Sequence, residues 1–137
     1  MKVLVIYADR FAYEPAVKNL EEVETIEHGA AYEDCIVAFI QMEESDEEKG
    51  VASREKKLVN HLKWTARKNN TQHVILHSFA HLADSKASPE FTKAIFDAAE
   101  KRLQNAEYQT AQTPFGYFLD LDIKAPGHSL ARIWASL

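Results

Sequence analysis

Residues 2–8, KVLVIYA, decide the fold class. The run is apolar at nearly every position and rich in valine and isoleucine, which predicts a central, buried strand. Residues 33–43, EDCIVAFIQME, and 73–77, HVILH, read the same way. Between the first two, EEVETIEHG (21–29) reads as a less buried strand or an irregular crossing segment. Residues 52–68 place Leu58, Val59, Leu62, Thr65 and Ala66 on one helical face with basic residues around it, and Asn69-Asn70 supplies a stop. Ser88-Pro89-Glu90 starts a second helix: serine as N-cap, proline in the first turn, then an acid that suits the helix dipole. That helix should run to about Gln104 and bury Phe91, Ile95, Ala98 and Leu103.

The C-terminal third is sheet. EYQTAQT (107–113) alternates, and GYFLDLDIK (116–124) alternates more clearly, with Tyr117, Leu119, Leu121 and Ile123 on one face and Phe118, Asp120, Asp122 and Lys124 on the other. Pro126-Gly127 fits the centre of a type II turn, whose second position needs positive φ. HSLARIW (128–134) would return as the last strand. The expectation is α/β: one domain over residues 1–137, a layered sheet with two long helices and no repeat or linker.

The bulk numbers narrow the classes. A hydrophobic fraction of 46% and a charged fraction of 27% suit a globular chain with a real core. No apolar run reaches the length of a membrane span, and no leader pattern precedes the first strand, so the expected location is cytoplasmic. The single cysteine, Cys35, excludes an internal disulfide and sits in an apolar run as a core residue. The net charge of −5 argues against nonspecific coating of nucleic acid. Charge is uneven, however. EESDEE (43–48) is acidic, whereas Arg54, Lys56, Lys57, Lys63, Arg67 and Lys68 share a segment whose one acid is Glu55. That segment is either a solvated helix face or a contact for a phosphate backbone.

Several residues could carry chemistry. His73, His77 and His81 are spaced four apart, a metal-ligand spacing on a helix, but VIL and SFA between them argue for a strand ending in a loop. His81 follows Phe79-Ala80 at the carboxyl end of a central strand, where α/β sheets place ligand sites; from the residues alone a site histidine and a structural one stand equally open. Ser78 lacks the glycine elbow of a serine hydrolase. Asp9, Tyr13 and Glu14 could line the same end of the sheet. At Pro114-Phe115-Gly116 a fixed φ precedes a missing side chain, which lets backbone approach a ligand closely or makes a bulge at a sheet edge.

These blocks together resemble the amino-terminal editing domain of archaeal-type threonyl-tRNA synthetases, a relative in fold of D-aminoacyl-tRNA deacylases. The resemblance rests on MKVLVIYADRFAYE with Asp9, Tyr13 and Glu14; on Val37-Ala38-Phe39-Ile40 followed by Glu43; on Phe79-Ala80-His81-Leu82; on Pro114-Phe115-Gly116-Tyr117; and on Gly127-His128 with Leu130-Ala131. It covers essentially the whole chain in order. It implies hydrolysis of serine mischarged onto threonine tRNA, without metal or other cofactor, in a homodimer that is fused to or partnered with a synthetase catalytic body. It also implies a substrate pocket built from Val37, Ala38, Phe79, Ala80, Pro114, Phe115, Gly116 and Tyr117, with His81 nearest the chemistry. A second site of this kind is needed because serine is smaller than threonine and keeps its hydroxyl, so a threonine pocket cannot exclude it.

Two positions depart from the family pattern. Where the family carries an important lysine, this chain has Phe118-Leu119, and where it tends to carry an acid, this chain has Arg132. Leucine can donate nothing to a water or an ester; Arg132 is a candidate to restore the cation. Three readings follow: an aminoacyl-tRNA deacylase, a noncatalytic relative that binds tRNA or a synthetase, and a metal hydrolase using His73, His77 and His81.

Overall fold

The first strand runs far beyond its apolar start. In the computed structural model, which describes residues 1–137, β1 spans Lys2–Lys18 and β2 spans Ala30–Gln41. The two pair antiparallel from Lys2↔Gln41 to Tyr13↔Ala30. The other edge of β1 is shared. Its first half pairs with β6 (Arg132–Ser136) and its second half with β5 (Tyr117–Lys124). The register with β5 shifts between Pro15 and Val17, where a proline without an N–H breaks the ladder. The 2–8 reading stopped early because the later residues of β1 alternate between buried Phe11 and Tyr13 and exposed Arg10 and Glu14, rather than forming an apolar run.

Beyond β2 the sheet is parallel. β3 (His73–Ser78) pairs with β2, and β4 (Gln109–Gln112) pairs with β3, so the order is β4-β3-β2-β1-β5 with β6 also on β1. Parallel neighbours require crossovers, and two helices provide them: α2 (Val51–Lys68) and α3 (Pro89–Asn105). A four-residue helix, α1 (Asp46–Lys49), precedes α2. Alternation along the strands builds a core on each face. Ile36, Ala38 and Ile40 pack with Val3, Val5, Val74 and Leu76 beneath Leu58, Leu62, Ile95, Phe96 and Leu103 of the helices. Cys35, Val37, Phe39 and Ile75 face the other way and are covered by Phe11, Tyr13, Leu119 and Ile123, where β1 and β5 curl over. Burial raises the Cys35 thiol to about 12, so it is an inert core group.

The helix starts and stops agree with the sequence. Ser88 Oγ accepts from Phe91 N at 3.2 Å, with Pro89 at the first helical position. Asn70 takes φ 52 just past α2. Other expectations need correction. The buried face of α3 is led by Thr92, Ile95, Phe96, Ala99 and Leu103, while Phe91 and Ala98 are only partly covered. Residues 21–29 form the irregular crossing segment, and a 3₁₀ turn (Ser129–Ala131) precedes β6. Gly127 is not in the left-handed region, so Pro126-Gly127 is a bend and not a type II turn; the positive-φ glycines are Gly50 and Gly116.

The acidic 43–48 stretch is also more than a solvated loop. Asp46 is fully buried, accepting from Glu43 N at 2.8 Å, and its carboxylate lies 2.9 Å from the Met1 ammonium and 3.1 Å from Arg54 Nη1. Arg54 therefore leaves the basic face of α2 and joins the interior, where it also donates to Leu137 O at 3.1 Å. No helix is long and apolar enough to cross a membrane.

Candidate functional site

A cavity of about 380 Å³ opens at the carboxyl ends of β2 and β3. This is the size of a small-molecule site, at the end of the strands where α/β sheets favour ligands. Phe79, Ala80 and His81 line it from the loop after β3, Pro114, Phe115 and Gly116 from the β4–β5 connection, and Tyr117, Phe118 and Leu119 from the start of β5. The two blocks, more than thirty residues apart in sequence, meet because β3 and β4 are parallel neighbours and their carboxyl ends lie side by side. Val37 and Ala38 do not reach the cavity. They are fully buried further back in β2, and Ile40, Gln41 and Met42 form that wall instead. Arg132 is absent from the wall as well: its guanidinium donates to Pro126 O at 2.6 Å and ties down the bend before β6.

The space is open despite the altered positions. Leu119 packs into the second core and Phe118 is about half exposed, so neither side chain fills the cavity. Phe115 is held edge-on to Phe96 of α3, with ring centres 6.3 Å apart. Tyr117 turns its hydroxyl away from the cavity, accepting from Ile26 N at 2.8 Å and donating to Glu24 O at 3.1 Å. Gly116 closes the same wall: Asn19 N and Leu20 N donate to its carbonyl at 2.8 and 3.3 Å. Its φ is +84, and a Cβ there would meet Val23 Cγ1 at 2.8 Å. Gly116→Ala is therefore expected to cost about 1–3 kcal/mol in a denaturant midpoint, with faster exchange of the Asn19 amide. An unchanged midpoint would show that the 19–29 segment is not seated on this glycine.

The three histidines do not converge. His73 lies at the far end of β3, edge-on to Tyr32 at 5.4 Å. His77 is in the cavity floor, and His81 is exposed on the loop above. No group of three or more His, Cys, Asp or Glu side chains is arranged to hold a metal ion. Instead an aromatic ladder leads inward. The His81 ring lies 4.9 Å from Phe79, Phe79 lies 5.2 Å from Phe39, and Phe39 lies 5.0 Å from His77, each contact edge-on. Burial holds His77 neutral, with its pKa down at about 4, and its Nδ1 shares a 2.9 Å hydrogen bond with Thr113 Oγ1.

Gln41 and Lys86 are polar wall residues to which sequence reasoning gave no role. Gln41 is buried at the end of β2 and grips the loop after His81: its Oε1 accepts from Leu82 N and Ala83 N at 2.6 and 2.8 Å, and its Nε2 donates to Ala83 O and Ser85 O at 3.0 and 2.9 Å. Lys86 is the one lysine or arginine on the wall, and no carboxylate lies among the lining residues. A site without acids in a chain of net charge −5 suits an anionic ligand.

Comparison with known proteins places this geometry. The family model described as the archaea-specific editing domain of threonyl-tRNA synthetase matches residues 1–137. The threonine–tRNA ligase of Methanopyrus kandleri is 31% identical over 134 residues, covering 97% of this chain and 21% of the relative. That of Pyrococcus horikoshii is 30% identical over 139 residues, covering 97% and 22%. The chain thus spans about a fifth of the length of the curated relatives it matches. Among solved structures, the c-Myc DNA Unwinding Element Binding Protein superposes with a TM-score of 0.67 at 14% identity, over 100% of this chain and 99% of that one. That likeness shows the fold alone, an α/β layered sheet with two long helices as expected from the sequence. The chain belongs to the archaea-specific editing-domain family of threonyl-tRNA synthetase.

Proposed function

We infer that residues 1–137 form one domain that hydrolyses the ester of serine mischarged onto threonine tRNA, without a metal, as a cytoplasmic homodimer. The observation that carries this reading is the open, acid-free cavity shared by the Phe79-Ala80-His81 and Pro114–Tyr117 blocks within a chain of this family. His81 is the exposed imidazole of the wall, with no hydrogen-bonding partner within the chain, and it is the side chain available to position water or the ester. Lys86 supplies the positive charge that Leu119 cannot, and fits the terminal phosphodiester of the RNA. His77 stays neutral beneath them and offers a hydrogen-bonding group without adding charge.

The test is seryl- and threonyl-tRNA(Thr) incubated with the protein, with and without a chelator. Seryl ester is expected to be lost preferentially and regardless of chelator, and His81→Ala is expected to slow that loss by about 100-fold or more. Chelator-sensitive turnover would sink the metal-free reading. Leu119 favours a second reading, a noncatalytic module that keeps the cavity and binds aminoacyl-tRNA for a synthetase partner. Tight tRNA binding with no turnover of either ester would select it.

A further inference from the structure

The outward face of α2 has no role in the cavity, and its charge is unlike that of any other element. Lys56, Lys57, Arg67 and Lys68 are exposed and Lys63 is half-exposed; none has an ion-pair or hydrogen-bonding partner within the chain. The helix's one acid, Glu55, is buried and turned to Arg102 of α3. α3, by contrast, carries both acids and bases, and Lys93 pairs with Asp97 at 2.9 Å. Among the α2 cations stands Trp64, 42% exposed, with Lys68 Nζ 5.7 Å from its ring centre and His61 stacked beneath it at 6.1 Å.

We propose that the exposed face of α2 binds the phosphodiester backbone of RNA, with Lys56, Lys57, Lys63, Arg67 and Lys68 pairing phosphates and Trp64 offering a stacking surface. The charge complementarity is one-sided, because these cations sit together on a chain whose net charge is −5. Lys56 and Arg67 are eleven positions apart, about 16 Å along a helix, the axial length of roughly five nucleotides of a helical strand. An exposed aromatic between cations is the arrangement that accepts bases as well as phosphates. Val51 and Trp64 are the large apolar residues exposed on this helix, so it has no apolar stripe to enter a lipid surface. The surface thereby extends the proposed reaction, and in that respect rests on it: the cavity would take the esterified 3′ end while α2 holds the body of the same RNA.

The experiment measures anisotropy of labelled, uncharged threonine tRNA across a salt series for the wild-type protein and the triple variant Lys63→Gln, Arg67→Gln, Lys68→Gln. The triple variant should bind about tenfold more weakly, with a salt slope lower by roughly two to three. Trp64 fluorescence should be quenched by RNA in a Trp134→Phe background. A triple variant that melts like the wild type yet binds RNA with the wild-type slope would overturn the proposal, as would absence of binding by the wild type. Equal competition by polyglutamate would overturn it in favour of an acidic peptide partner. Hydrolysis of a seryl ester of adenosine alone separates the two ideas. If the wild type fails to cleave it, or seryl-tRNA, the deacylase reading falls while the binding result stands. If the triple variant cleaves the short ester normally but loses efficiency on seryl-tRNA through KM, the RNA surface is established.

Discussion

Gln41→Ala should lower stability by about 2–4 kcal/mol and slow ester hydrolysis by about 100-fold, although Gln41 does no chemistry. Its amide satisfies two N–H and two C=O groups of residues 82–85, and each such bond is worth about 0.5–1.5 kcal/mol net. Removing it leaves those groups partly shielded from water and frees the loop that carries His81. The measurements are a urea midpoint, amide exchange at Leu82 and Ala83, and kcat against KM. The exchange data discriminate: a loop that stays protected in Gln41→Ala means another contact sets its position. Gln41→Glu should rescue poorly, because a carboxylate would face the carbonyls of Ala83 and Ser85.

Asp46→Ala should be the most destabilising polar substitution, at about 3–5 kcal/mol, since it strands the buried Arg54 guanidinium without a counterion and leaves the buried Met1 ammonium with Glu43 alone. Burial pushes the Asp46 carboxyl up, but the Met1 ammonium, the Glu43 N–H and Arg54 outweigh it, and the net direction is down. Glu43 is also lowered, chiefly by its hydrogen bond from the Met1 ammonium. A carboxyl whose pKa falls on folding contributes stability that is fully present above its unfolded value, near 4, and is lost as the pH drops through the folded value. The difference between wild type and Asp46→Ala should therefore be constant near neutrality and shrink below about pH 4. A difference that does not change with pH would show that Asp46 contributes through packing and not charge.

The two-faced core was legible in the sequence because KVLVIYA, CIVAFI and HVILH are apolar on both alternating sets, and no exposed strand carries that pattern. The helix caps were legible for a similar reason: Ser88-Pro89 and Asn69-Asn70 act through their own neighbours. Gln41 was not, because its partners are backbone groups more than forty residues away, and backbone groups leave no mark on a sequence. A polar amide ending a buried strand was the one hint available. Lys86 sits in the irregular stretch between His81 and the Ser88 cap, where no period assigns it a direction. Arg54 misled for the opposite reason: its helical position borders the apolar face, and only Asp46, brought in by α1, draws it inside. The site blocks were singled out by strand position and by proline and glycine chemistry, and joined by resemblance; their meeting depends on a parallel β3–β4 pairing that composition alone does not specify.

Lys2 pairs with Ser136 across almost the full chain, and Val3 and Val5 lie opposite Ala135 and Ile133. While the polypeptide is being synthesised, one edge of β1 therefore waits until Arg132–Ser136 emerge from the ribosome. Closure of this edge is therefore paced by translation, and an apolar edge stays available to wrong partners in the interval.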